Sequence, residues 1–279
     1  MRFLKRLTLF ITLLFVVFGS LYAYARYWEP FHLSIKEVTI TSPYVTEKAD
    51  GMIILAMADS HLGEYYSLEQ FQLVIDEVNR QKPDMVVFAG DLFDHFARYE
   101  GDPALVSEAL ARIQAPIGKY AVFGNHDYGG GAEFNYQSIM EAGGFMVLKN
   151  QYQALDGLSM SLIGIDDLLI GYGDTRIGSY ARPDYFNLFL AHEPDIVSEM
   201  TGYNLDLMIS GHTHGKQVDL GPLSDNVLPP YGKNYVKGFY EMGNDRQTRL
   251  YVNAGIGMTI LPLRLNSPPE LTRITLTSN

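Results

Sequence analysis

The segment Ser210-Gly211-His212-Thr213-His214-Gly215 sets two imidazoles two residues apart, directly after Leu207-Met208-Ile209. On extended chain such residues project to one side, so both rings can reach one small object. The flanking glycines let the backbone turn sharply and approach a ligand. A turn carrying two solvated histidines fits the same residues, and the rest of the chain has to decide between the readings.

Four further polar clusters follow apolar runs: Asp59-Ser60-His61, Gly90-Asp91-Leu92-Phe93-Asp94, Gly124-Asn125-His126-Asp127 and Ala191-His192-Glu193-Pro194. Taken singly each has an ordinary reading, as a turn or a helix start. Together they offer Asp59, His61, Asp91, Asn125, His192, His212 and His214 as donors. Two carboxylates, an amide oxygen and four imidazoles are too many for one ion and suit two. Two-metal hydrolases hold their ions about 3.5–4 Å apart with a shared ligand, and Asp91, behind a glycine, is the candidate bridge. Two divalent ions against two aspartates leave a net charge of about +2 for hydroxide and an anionic substrate to offset. That remainder favours phosphate esters. Five of the seven histidines fall in these clusters; His32 and His95 read as surface or rim residues.

The clusters must be delivered by regular elements. Leu33–Thr41 alternates and reads as an edge or hairpin strand, and Met52–Ala58 as a central strand. Ser67 with Gln70 forms a capping-box signature for a helix to about Arg80, stopped by Pro83. Asp84–Ala89 is a further buried strand. Pro103–Ile113 reads as a helix whose apolar face is Leu105, Ala109, Leu110 and Ile113, and Ile117–Phe123 as a strand. A short helix over Phe134–Ala142 precedes Phe145–Leu148, and Leu158–Ile165 and Asn187–Leu190 add strands. This order predicts an α/β layered fold. Ligands bind at the carboxyl ends of strands in such sheets, where all five clusters fall. The long loops Gly171–Asp184 and Gly221–Lys237 are candidate walls of a site.

The 279 residues are 47% apolar, carry a formal charge of −11 and include no cysteine. Disulfides, thiolate nucleophiles and cysteine zinc sites are excluded, and with no Lys/Arg-rich run a nucleic-acid partner is not expected. Leu7 to Ala25 is uncharged and long enough to span a bilayer. Arg2, Lys5 and Arg6 precede it, which places the N-terminus in the cytoplasm and the rest outside. The expected organisation is an anchor over residues 1–28 and one catalytic domain over 29–279. Export with cleavage is the alternative, since Ala23-Tyr24-Ala25 fits a small-x-small site.

As an ordered set, the five clusters resemble the calcineurin-like metallophosphoesterase superfamily. The further details Gly215-Lys216-Gln217 and Pro268-Pro269-Glu270 resemble its membrane-associated or exported bacterial branch, with Lys216 where that branch has glycine. The resemblance implies a four-layer αββα sandwich. It assigns Asp59, His61, Asp91 and His214 to one metal, and Asp91, Asn125, His192 and His212 to the other. His126 is then expected to protonate the leaving oxygen or stabilise the transition state, with Asp94 holding that imidazole or a metal ligand in place.

The expectation is hydrolysis of a phosphate ester or anhydride, a lipid-linked one among the candidates, by in-line attack of hydroxide generated on two divalent metals. Mixed N/O ligation suits Mn, Fe, Zn, Ni or Co. A UDP-2,3-diacylglucosamine pyrophosphatase-like activity is the alternative. A non-catalytic membrane-tethered scaffold on the same fold is a remote one, since no expected ligand is missing.

Overall fold

The computed structural model describes residues 1–278. Two six-stranded sheets stack face to face. The first has the order β1 (Ser34–Thr41), β12 (Glu270–Thr277), β2 (Ile53–Met57), β3 (Met85–Phe88), β4 (Gly118–Ala121) and β5 (Met146–Val147). The second runs β10 (Gly238–Glu241), β11 (Arg249–Val252), β9 (Leu207–Ser210), β8 (Phe186–Leu190), β7 (Met160–Gly164) and β6 (Gln151–Leu155).

Side chains alternate across each strand, and the two core clusters of the first sheet divide accordingly. Ile54, Ala56, Met85 and Val87 point inward, against Leu162, Leu188, Leu190, Leu207 and Ile209 of the second sheet. Leu55, Met57, Val86 and Phe88 point outward, against helices α2 (Leu68–Arg80), α3 (Pro103–Ala111) and α4 (Tyr136–Ala142). Burial on both faces is why these strands read as continuous apolar runs. The outer face of the second sheet, with Ile163, Phe189, Met208 and Leu250, packs on the four-residue α5 (Val197–Met200) and adjoining turns. The αββα sandwich is therefore present with a thin fourth layer.

The predicted capping box of α2 forms: the Ser67 side chain accepts the Gln70 N–H and Gln70 Oε1 accepts the Ser67 N–H. The α3 segment buries Ala109, Leu110 and Ile113 as expected, but Val106 in place of Leu105, which is half-exposed. Helix α4 starts at Tyr136 and leaves Phe134 exposed. β1 is an edge strand as expected but forms no hairpin; it pairs in parallel with β12. Strands β6, β10 and β11 are additions to the sequence reading. β6 and β10 are edges recruited by main-chain pairing, and none of their side chains is fully buried, so neither reads as an apolar run.

Helix α1 (Arg2–Tyr27) is exposed along its apolar length, and it is long and apolar enough to cross a membrane. Its end is tied down: the Ala25 carbonyl accepts the Arg264 N–H (2.9 Å), and the buried Glu29 carboxylate accepts the Ser267 N–H (2.7 Å).

Candidate metal centre

Strands β2 and β3 run parallel to each other, as β9 does to β8 and β11, and Asp59, Asp91 and His212 follow their carboxyl ends. Asp59, His61, Asp91, His212 and His214 all have φ between 45° and 75°. A left-handed backbone costs a non-glycine residue about 1–2 kcal/mol, although Asp and His tolerate it better than most. Five such residues in one patch are strain concentrated at a functional site. Gly90, with φ +93°, admits the close approach: a Cβ there would strike the Gly124 nitrogen and the His192 ring.

Of the expected donors, Asp59, His61, Asp91, His192 and His214 converge. Asp91 Oδ2 lies 3.4 Å from His61 Nε2 and 3.1 Å from His192 Nε2. His214 Nε2 lies 3.0 Å from His61 Nε2 and 3.8 Å from Asp59 Oδ1. Donor atoms of Asp59, His61 and His214, of Asp59, Asp91 and His192, and of His61, Asp91 and His126 each fall within 4.8 Å of one another. His212 belongs to none of these triads; its ring lies edge-on to His192, at 4.8 Å between centroids.

Tautomers follow from the second nitrogen of each ring. His192 Nδ1 donates to the Ala89 carbonyl (2.7 Å), and His212 Nε2 donates to the Pro230 carbonyl (2.9 Å). A neutral His192 thus aims the lone pair of Nε2 at a carboxylate, an arrangement that demands a cation or a proton between them. His192 Nε2, His214 Nδ1 and Asn125 Oδ1 are buried without hydrogen-bond partners. This donor set fits divalent metal ions.

The titration behaviour of the protein groups agrees. Burial pushes Asp59 up to about 6, with His192 opposing and Asp91 reinforcing. Burial also works against a charge on His61, but Asp91 and Asp94 raise it to about 9. For Asp91 burial is outweighed by His192 and His126, which hold it well below the usual carboxylate range. Burial, aided by the charge on His192, lowers His212 to about 4, and burial with His61 lowers His214 well below 6.5.

Asp94 divides its work between two rings. Its main-chain carbonyl accepts from His126 Nδ1 (2.6 Å), while its carboxylate lies 3.2 Å from His61 Nδ1 and accepts the Thr259 hydroxyl (2.7 Å). Lys216 occupies a left-handed position (φ +73°), the conformation a glycine would take freely. Its ammonium bonds to Asp225 and to the Gly221 carbonyl, fastening the 221–227 turn.

Two supporting residues escaped the sequence reading. Asp127, the last residue of the Gly124–Asp127 motif, is fully buried and accepts the N–H groups of Asp91, Leu92 and Gly124. Arg264 is fully buried and donates to the carbonyls of Ala254, Gly255, Gly257 and Ser267, fixing the turn beneath Asp59. A lone charge within the apolar Leu261–Leu265 stretch was the signal available for it.

A cavity of about 430 Å³ opens over these groups, with His61, Asp91, Asn125, His126, His212 and His214 in its lining. One wall is apolar: Leu220, Leu223, Val227, Leu228, Ile260 and Leu261. The Gly221–Lys237 loop thus forms part of the site as expected. Gly171–Asp184 does not line it; Asp167 and Asn150 bind the turn leading into it, and Asn204 its far end, on the second sheet's side.

The fold and the converging donors define a metal-dependent phosphoesterase. Residues 52–216 match the family model described as calcineurin-like phosphoesterase, and the chain belongs to that family. It is 42% identical over 265 residues to the uncharacterised metallophosphoesterase YkuE of Bacillus subtilis (strain 168), covering 93% of this chain and 91% of that one. It is 30% identical over 264 residues to the phosphodiesterase YaeI of Escherichia coli (strain K12), covering 92% and 93%. A metallophosphoesterase of Aquifex aeolicus (strain VF5) is 27% identical over 262 residues, covering 89% and 93%.

Proposed function

We propose that residues 29–279 form one catalytic domain that hydrolyses a phosphodiester or phosphoanhydride with an apolar portion, using two divalent ions. The observation that carries this is the Asp91 carboxylate standing between His61 and His192, each within 3.4 Å. In this reading Asp59, His61, Asp91 and His214 hold one ion, and Asp91, Asn125, His192 and His212 the other. Bound there, the ions supply Lewis-acid stabilisation of phosphoryl oxygens and acidify water.

The chain's own residues do the rest. His126 Nδ1 donates to the Asp94 carbonyl, which leaves Nε2 for the departing oxygen; the ring acts as the imidazolium, giving up its Nε2 proton and keeping the one on Nδ1. Asp94 positions both His126 and His61. The apolar wall receives the non-phosphate part of the substrate, in keeping with a lipid-linked ester. Similarity to a relative named as a phosphodiesterase favours a diester over a monoester.

Helix α1 serves as a retained single-pass anchor, with Arg2, Lys5 and Arg6 on the cytoplasmic side and the catalytic domain outside. Tyr27→Cys in a chain otherwise free of cysteine should react with an impermeant reagent in whole cells; reaction only in lysates overturns this orientation.

The central test is Asp91→Asn. Metal content and hydrolysis of an aryl phosphodiester should fall together, and normal activity in that variant defeats the proposal.

A further inference from the structure

We infer that the mouth of the catalytic cavity docks onto the lipid bilayer itself, with Leu223, Val227 and Ile260 inserted among the lipids. The inference rests on the reading of α1 as a retained membrane anchor.

Its first support is exposure. Ile260 is 83% exposed, Leu223 81% and Val227 73%, and all three belong to the apolar wall of one cavity. Isolated apolar side chains on a surface need no explanation, but a cluster on the rim of a pocket marks an interaction surface.

Ile260 adds a second observation. Its φ is +63°, an outlier for a β-branched residue. The backbone is strained to hold an apolar side chain out in water, two unfavourable terms in the same direction. A partner that buries the side chain offsets them.

The rim is also built as one unit. Gln217 Nε2 donates to the carbonyls of Thr259 and Leu261, and Lys216 ties Asp225 and the Gly221 carbonyl. The two apolar loops therefore present together.

The position of the anchor names the occupant. Arg264, whose N–H binds the Ala25 carbonyl at the end of α1, is three residues beyond Leu261. Three residues span at most about 11 Å. Tyr24 and Trp28 stack at the same helix end (5.0 Å between centroids), the aromatic pair expected at a membrane interface. Leu261, at the rim, therefore lies within about 11 Å of the residue that holds the end of the anchor. Charge is not the driver, because Lys216 and Lys237 are already paired with Asp225 and Asp219, and the chain is acidic. Insertion is apolar, as for interfacial segments that bury about 5–10 Å into the headgroup boundary.

The absence of cysteine makes the test direct. Ile260→Cys, Leu223→Cys and Val227→Cys are each labelled with a polarity-sensitive fluorophore in the full chain, reconstituted in phosphatidylcholine nanodiscs. Leu105→Cys, on the outer helix α3, is the reference. Circular dichroism melting identifies any variant that fails to fold, and the remaining two positions then decide. Rim labels should be blue-shifted and quenched by nitroxide-bearing lipids, and high salt should not reverse this. A blue shift without lipid quenching means that protein, such as a second copy, covers the rim, and overturns the proposal. So do labels as solvated as the reference in a chain that stays with the nanodiscs. Loss of the chain from the nanodiscs overturns the anchor reading, and this inference with it.

Discussion

The buried carboxylate of Asp127 accepts the main-chain N–H of Asp91 at 2.8 Å, across 36 residues of sequence. Its Oδ1 takes the Leu92 N–H (2.9 Å), and Gly124 donates to Oδ2 (2.9 Å), the oxygen that Asp91 also uses. One side chain therefore joins the loops after β3 and β4 and fixes the backbone from which Asp91 and Asn125 project. Asp91 returns the contact, its Oδ1 accepting the His126 N–H (2.8 Å).

Asp127→Ala leaves three buried N–H groups without an acceptor. Each unsatisfied donor costs about 1–3 kcal/mol, so a loss of about 3 kcal/mol or more is expected from denaturant unfolding. Asp127→Asn keeps one acceptor oxygen and should lose less. Equal stability of the alanine variant and the parent would contradict the role.

His126→Ala removes the proposed proton donor but none of the proposed metal ligands. Metal content should stay at the parent level while kcat for an aryl phosphodiester falls by about 10²–10⁴-fold. An ester with a very acidic leaving group needs no protonation and should suffer much less. Loss of metal in this variant would instead make His126 a ligand.

Most of this frame was legible in the sequence, for physical reasons. The parallel strands β2, β3, β8 and β9 are buried on both faces, so they read as apolar runs, and their carboxyl ends mark the site. Edge strands such as β6 are made by main-chain pairing and leave no such pattern. Asp127 and Arg264 act on backbone groups supplied by distant turns, and pairing of that kind is invisible until the chain is folded. Which of Leu105 and Val106 faces the core is not legible, because the two are equally apolar and only packing separates them.

Gly257 lies beneath Asp59, and its N–H donates to the Asp59 carbonyl at 2.8 Å. A Cβ there would overlap the Ser60 carbonyl oxygen, a backbone atom with no freedom to move aside. Gly257→Ala should therefore displace the Asp59–His61 turn. Lower metal affinity together with a lower melting temperature is the expected outcome; a variant with unchanged metal affinity would show that the turn tolerates the shift.

Metal binding should be linked to pH in two stages. His61 holds a proton below about pH 9, and His192 too, despite burial, is held protonated well above the ordinary imidazole range by Asp91 and Asp59, whereas an imidazole ligand must be neutral. Raising pH removes these competitors, so affinity for Mn should climb through the neutral range, by about tenfold per unit for each proton displaced. Asp59 is pushed up to about 6, so below that pH a further proton must leave, and the slope should steepen. The steep arm belongs to Asp59 alone and should vanish in Asp59→Asn, whose affinity falls at every pH. Chelator competition measured across this range reads both slopes. Because ions bound to the folded state stabilise it, the melting temperature should follow the same two-stage profile in Mn and lose it in chelator. An affinity that does not change with pH would mean that neither His61 nor Asp59 gives up a proton to the metal.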